Sequence, residues 1–388
     1  MEISERLKST GSKRILALDG GGIRGAITLG YLEQMEKMLQ KRYNNTNFRL
    51  CDYFDLIGGT STGAIIAGGL AIGMSATEIK DLYKELGEKI FSRKASIFKR
   101  LSFKFQIRAL EKELKKIFGD MTMSSDKLKT GFCVVTKRAD TGSTWPIFNH
   151  PESKYYKYTK DYLVRQVIRA STAAPTYFKP EVINIGNNQI GAFVDGGVSL
   201  HNNPSMQLFL LATLKSFKLN WETGADKLMI VSVGTGFWET KEEIDKVTDN
   251  RLWDWAGGVI NMLMRDASIG NEMMLQYFSK SPTSRIIDRE MGNLKDDLIT
   301  EKPLLHYLRY NAILEKDPLT KLGFKNINPS DLYEMSEAKN CHTLTCIGEE
   351  AAKVDIKSAH FPKAFDLKKN TPLDNFDLEG FLNRDKIV

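Results

Sequence analysis

The sequence predicts an α/β protein: a mainly parallel central sheet flanked by helices. Three observations carry that expectation. A short apolar strand runs through a glycine loop into a helical pattern at residues 14–39. A second strand, a tight glycine–serine turn and a second helix follow at residues 53–72. Further short apolar runs, each closed by a turn signal, recur downstream. Strand–loop–helix units in series point to a parallel sheet covered by helices.

The 388 residues suffice for one large domain or two ordinary ones. Apolar residues make up 42% and charged residues 27%, which fits a packed core and excludes a disordered chain. The net charge of +7 suits an anionic partner such as phospholipid or nucleic acid, and is also ordinary surface charge. Cys51, Cys133, Cys341 and Cys346 are unevenly spaced and form no C-x-x-C. They read as buried or free thiols of a reducing compartment, not as a disulfide frame or a zinc site. Met1 to Arg14 is polar, without an apolar signal core. No apolar run reaches the roughly 18 residues of a membrane span. The expectation is a cytoplasmic protein whose lipid contact would be peripheral.

Arg14–Asp19 reads as the first strand, and Gly20–Gly25 as its loop. Leu29, Leu32, Met35, Met38 and Leu39 form one face of the helix that follows. Tyr53–Ile57 reads as the second strand and Ala64–Ala67 as the start of a buried helix. Residues 75–118 read as helical and become strongly basic, with Arg93, Lys94, Lys99, Arg100, Lys104 and Arg108 among the cations. This basic segment, 93–116, is either a solvated face or a surface that docks on anionic lipid. Gly131–Thr136 reads as a strand, Arg165–Ala174 as a helix, and Ile190–Val194 as a strand ending at Asp195. Asn203 and Pro204 fit the cap and first position of a helix over Ser205–Leu219. Leu228–Val233 is a further strand. Trp253–Phe278 looks helical, with Trp253, Trp255, Val259, Ile260 and Leu263 as core. Pro303–Leu314 and Asp331–Ala352 read as helical, and the chain from 354 to 388 as a loosely ordered tail. No repeat and no linker divides the chain.

The chemistry centres on Gly59-Thr60-Ser61-Thr62-Gly63. A G-x-S-x-G between strand and helix forms a nucleophile elbow, with Ser61 at its tip and Gly59 and Gly63 where the turned backbone leaves no room for a side chain. Alone the pattern is weak; the strand before and the helix after strengthen it. Gly20–Gly25 also satisfies the dinucleotide pattern G-x-G-x-x-G. That site wants an acidic residue about twenty positions on. Tyr43–Asn47 offers a polar loop instead. The other reading is an anion hole, because consecutive glycines expose N–H groups at a helix start, where an oxyanion formed at Ser61 would need them. Asp195-Gly196-Gly197 is either an ordinary D–G turn or a carboxylate placed at a strand end.

Together these pieces resemble patatin-like lipid acyl hydrolases. The order is DGGGxRG at Asp19–Gly25, G-x-S-x-G about forty residues on, and DGG far downstream. Ala170–Phe178, Asp195–Pro204 and Val231–Gly236 are similar to further segments of that family. The resemblance covers roughly residues 12–353, as one patatin-like domain with a modified α/β-hydrolase-like architecture. It implies a Ser61–Asp195 dyad without histidine, in which Asp195 is the general base. Gly20, Gly21, Gly22 and the Arg24 backbone would supply the oxyanion hole. Arg24's side chain is either ordinary surface or a cation for a phosphate head group. The implied substrates are phospholipids or galactolipids; no metal, no cofactor and no nucleic-acid polymer are implied. Some bacterial members are antiphage effectors switched on by a cyclic nucleotide, so such an activator is an open expectation here. The competing readings are a Ser–His–Asp triad carboxylesterase and a lipid-binding or storage protein without turnover.

Overall fold

The structure is a computed structural model that describes residues 3–90, 99–175, 177–186, 189–239, 244–248 and 252–367. It gives the backbone alone at 88–90, 99–107, 246–247, 252–258, 260 and 261. The chain opens with helix α1 (Ile3–Lys8) and strand β1 (Lys13–Leu18), which feeds the glycine loop and helix α2 (Gly25–Arg42). Then come α3 (Leu50–Tyr53), β2 (Leu56–Thr60), α4 (Thr62–Ala71), α5 (Ala76–Ile90) and α6 (Lys99–Phe118). Strands β3 (Gly131–Arg138) and β4 (Thr144–Phe148) precede α7 (Tyr156–Thr159) and α8 (Val164–Ser171). Strands β5 (Glu181–Gly186) and β6 (Gln189–Asp195) lead to α9 (Ser205–Thr213) and β7 (Leu228–Val233). The last elements are α10 (Ile244–Thr248), α11 (Leu252–Phe278), β8 (Ser279–Lys280), β9 (Leu305–Tyr310), α12 (Lys316–Lys321) and α13 (Cys341–Asp355).

Among the described residues, nine strands form one sheet in the order β5-β6-β3-β2-β1-β7-β9-β8, with β4 pairing β3. The run β3-β2-β1-β7-β9-β8 is parallel throughout. Only β4, β5 and β6 join antiparallel. Strands β1, β2 and β7 are buried along their whole length. That explains their unbroken apolar runs, since a sheet covered on both faces needs no alternation. One core lies between the sheet and α2, α4, α8 and α13; a second gathers α9 and the other face of β1 and β7.

Several boundaries differ from expectation. Residues 50–53 are helical, and the second strand starts at Leu56. Leu305–Tyr310 is a strand, not a helix. It is buried at every position, and in a short run of that kind periodicity cannot tell strand from helix. Helix α9 stops at Thr213, where Leu214 turns to extended backbone. Two 3₁₀ turns occupy much of 329–340, so the helix expected from Asp331 starts at Cys341. Val259 and Leu263 are 41% and 63% exposed, not core. Helix α11 is seated through its C-terminal half, where Asn271, Glu272, Leu275 and Gln276 are buried. Trp253, Trp255 and Ile260 lie outside the described side chains.

The tail expected from residue 354 is packed as far as Leu367. Phe361 and Phe365 are buried, Arg14 Nη1 donates to the Phe365 carbonyl, and Arg42 pairs with Asp366. Of the basic segment, 93–98 lies outside the described residues and 99–107 is described as backbone only; Arg108, Lys112, Lys115 and Lys116 are exposed. Among the described residues, no helix is long and apolar enough to cross a membrane. None of the four cysteines forms a disulfide among the described residues, and Cys51, Cys133 and Cys341 are buried.

Candidate active site

Strand β2 ends at Thr60 and helix α4 begins at Thr62, so Ser61 is the whole turn between them. Its backbone sits at φ 54 and ψ −127. A non-glycine residue there is strained by about 1–3 kcal/mol. Close approach of the chain holds it in place. A Cβ on Gly59 would fall on the Gly63 carbonyl, and a Cβ on Gly63 on the Leu18 and Asp19 carbonyls. The two glycines of the motif therefore pack the elbow onto itself and onto the end of β1. The Ser61 N–H donates to Ser171 Oγ at 2.8 Å, and Ser171 Oγ donates to the Val135 carbonyl at 2.7 Å.

Sheet register brings the second residue alongside. Thr60 of β2 lies beside Val135 of β3, and Thr136 lies beside Asp195 of β6. Ser61 Oγ donates to Asp195 Oδ2 at 2.6 Å. Asp195 Oδ1 accepts the Gly197 N–H at 2.7 Å, and the Asp195 N–H donates to the Ala173 carbonyl at 3.0 Å. The carboxyl is 4% exposed. Burial pushes its pKa up to about 6, against the pull of its Ser61 and Gly197 hydrogen bonds. A carboxylate desolvated in this way is a better proton acceptor than one in water.

The glycine loop closes the site from β1. Gly20 donates its N–H to the Asn202 carbonyl at 3.1 Å and accepts from Asn202 Nδ2 and Thr235 Oγ1. The Arg24 N–H is also engaged, on the Gly21 carbonyl at 3.2 Å. The Gly21 N–H has only a long contact to Thr62 Oγ1, 3.3 Å. Gly22 has φ 57, and its N–H finds no acceptor among the described residues. Of the four expected donors, Gly20 and Arg24 are thus already used by the protein.

The Arg24 side chain corrects the surface reading. It is buried, stacked over the Trp238 ring at 4.8 Å, and Trp238 in turn stacks on Tyr333. Its Nε and Nη1 have no hydrogen-bond partner among the described residues. Burial pulls its pKa down to about 10, opposed by Glu334 and Tyr83.

Behind the loop runs a buried ionic chain that the sequence did not disclose. Arg309 forks onto Asp19, with 2.9 and 2.6 Å bonds, and donates to Ser232 Oγ. Glu272 of α11 stands 3.6 Å from Arg309 and is held by Arg285. Burial holds the Asp19 pKa above its usual value, with Arg309 opposing the rise and Glu272 adding to it. Asn271 Nδ2 donates to the carbonyls of Leu200 and Asn203, so α11 braces the loop beyond Asp195.

No histidine reaches the pair among the described hydrogen bonds. His201 is nearest in chain, and its carbonyl accepts from Thr60 Oγ1 at 2.6 Å. Burial, with Lys137 nearby, lowers its ring pKa to about 4. His306 Nε2 meets the His360 carbonyl, and His360 Nδ1 meets Tyr310 Oη. His150 packs beside Phe148, and His342 lies on α13.

A family model described as patatin-like phospholipase matches residues 16–209. Patatin-16 of Solanum tuberosum is 27% identical over 366 residues, 88% of this chain and 84% of that protein. A cGAMP-activated phospholipase of Escherichia coli (strain TW11681) is 30% identical over 226 residues, 57% of this chain and 62% of that one. A cGAMP-activated phospholipase of Vibrio cholerae is 32% identical over 203 residues, 50% of this chain and 55% of that one. The chain spans less than two thirds of both bacterial relatives. The matched segment includes the glycine loop, the elbow and Asp195, and the chain belongs to the patatin-like phospholipase family.

Proposed function

We propose that this chain is a lipid acyl hydrolase of the phospholipase A type, working through Ser61 and Asp195. The observation that carries the reading is the 2.6 Å bond from the Ser61 hydroxyl to a buried carboxylate. Ser61 Oγ attacks the acyl carbonyl while Asp195 Oδ2 takes its proton. The carbonyl oxygen becomes an oxyanion beside the Gly21 and Gly22 N–H groups, at the positive end of α4. Asp195 returns the proton to the leaving alcohol, and the acyl group stays on Ser61. Water activated by the same carboxylate then releases the fatty acid. The hydrolase unit runs from about residue 12, and the packed segment to Leu367 belongs with it. The cGAMP-activated phospholipases among its bacterial relatives support a cyclic-nucleotide-controlled version of this activity, such as an antiphage effector would use.

The test is release of fatty acid from fluorogenic phospholipid and galactolipid by the purified chain, with and without cGAMP. A fluorophosphonate should label the wild type and leave Ser61→Ala unlabelled. Labelling that survives in Ser61→Ala would mean the nucleophile is another residue.

A further inference from the structure

A second buried guanidinium lies away from Ser61. Arg169 of α8 is 4% exposed. Its Nη2 donates to the Lys179 carbonyl at 3.3 Å, and its plane lies over the Phe178 ring at 5.2 Å. Its Nε and Nη1 have no hydrogen-bond partner among the described residues. The Glu111 carboxylate stands 4.0 Å from Nε, outside hydrogen-bond reach. A guanidinium keeps its charge in a protein and offers five donors. Buried donors left without acceptors are costly.

Arg169 is among the residues that line a cavity of about 580 Å³ between α6, α8 and β5, its two unpartnered donors themselves fully buried. Arg108, Lys112, Lys115 and Arg165 line it too, against the carboxylates of Glu111 and Glu181. Arg165 is occupied by the Gly119 carbonyl and Asp120. Arg108, Lys112 and Lys115 are exposed. The cavity therefore has an excess of positive charge, a size suited to a small molecule, and a planar fork that matches phosphate oxygens.

The far end of the same helix reaches both dyad residues. Two residues beyond Arg169, Ser171 Oγ holds the Ser61 N–H. Two further on, the Ala173 carbonyl holds the Asp195 N–H. Thr172 Oγ1 donates back to the Arg169 carbonyl at 3.0 Å.

We propose that this cavity binds the phosphate group of a small anionic ligand, and that its occupancy is relayed through α8 to Ser61 and Asp195. The relay rests on the hydrolase reading above; the binding does not. A phosphate there draws in Lys112 and Lys115, and supplies acceptors to Arg169 once its guanidinium turns from this buried position towards the cavity. Any movement of Arg169 is transmitted to the two contacts that set the Ser61 and Asp195 backbones. The phosphate can belong to a free nucleotide or to a lipid headgroup.

Binding is measured on the full chain carrying Ser61→Ala, so that no turnover is needed. Calorimetry is run with cGAMP, cyclic di-GMP and pyrophosphate, and sedimentation with phosphatidylglycerol vesicles. Saturable binding of at least one probe is expected, weakened about tenfold or more by Arg169→Met and by Lys112→Glu. Lys112 is exposed, so its variant tests the site even if Arg169→Met folds poorly. Loss confined to the soluble probes identifies a free ligand; loss confined to vesicles identifies a headgroup. No saturable binding, or binding that Lys112→Glu and a folded Arg169→Met leave intact, overturns the site. In the catalytically intact chain, the bound probe should change hydrolysis of a short-chain ester, and Lys112→Glu should remove that change. Binding without any change in rate overturns the relay. A chain that hydrolyses nothing under any condition overturns the hydrolase reading, while the calorimetry on Ser61→Ala still decides the site.

Discussion

Ser171 Oγ stands 2.8 Å from the Ser61 amide nitrogen and spends its own proton on the Val135 carbonyl. The strained turn at Ser61 would otherwise leave a partly buried N–H without this acceptor. One hydroxyl thus ties the elbow to α8 and β3 at once. Ser171→Ala removes the acceptor and should destabilise the fold by about 1–3 kcal/mol. The larger effect should be on kcat, because a turn free to relax aims Ser61 Oγ less well. Thermal melts and steady-state kinetics on a soluble ester check this. Unchanged kcat with a lowered melting temperature would reduce Ser171 to a structural role.

The Asp195 carboxyl is held near 6, against about 3.9 for an unperturbed aspartate. In its proposed role as base it must be ionised, so kcat/KM should rise with pH through about 6 and level off above it. The stability effect has the opposite sense. A raised folded-state pKa gives a contribution that is complete at low pH and is lost as pH climbs through about 6. Asp195→Asn keeps the shape without a charge to desolvate. It should lose several orders of magnitude in rate, yet above pH 6 it should gain on the order of 2–3 kcal/mol relative to wild type. That gain should shrink towards pH 4. Melts of both proteins across that range decide it, and a variant less stable than wild type at high pH would contradict the desolvation account.

Much of the candidate site's geometry could be read from the chain because its parts are local. Gly59, Ser61 and Gly63 announce a turn, and Asp195 ends a strand before two glycines. The parallel core could be read for the same reason, since fully buried strands give unbroken apolar runs. What stayed hidden depends on register across the sheet. Ser171 lies in a segment noticed for its resemblance, but nothing local says that its hydroxyl meets the Ser61 amide. Arg309 sits 290 residues from Asp19, inside a run misread as helix, so their pairing had no signal at all. Gly20 failed as a free donor for a similar reason: the Asn202 carbonyl that takes its N–H arrives from a distant loop.

The proposed oxyanion hole, with Gly21 and Gly22 as its donors, can be tested at Gly21. A side chain there would fall on the Thr235 side chain and push the loop away from Ser61. Gly21→Val should lower kcat by roughly 10²-fold or more while fluorophosphonate still reaches Ser61 slowly. A rate within a few-fold of wild type would move the oxyanion donors elsewhere.

The choice between a dyad and a triad turns on the five histidines. A triad of the α/β-hydrolase kind needs a ring nitrogen within reach of the serine hydroxyl. Ser61 Oγ already donates to Asp195, and Asp195 fills its other oxygen with the Gly197 N–H. His306, on β9, meets the His360 carbonyl, and the His360 ring meets Tyr310. His201 meets the elbow only through its backbone carbonyl, and its ring is held neutral down to about pH 4. Its bond to Thr60 survives any side-chain change, so His201→Ala should keep kcat/KM within about tenfold of wild type, as should the other four alanine variants. The pH profile of each should still rise through about 6, because the proposed titrating group is Asp195. One histidine variant as inactive as Ser61→Ala, with Asp195→Asn still turning over, would replace the dyad with a triad.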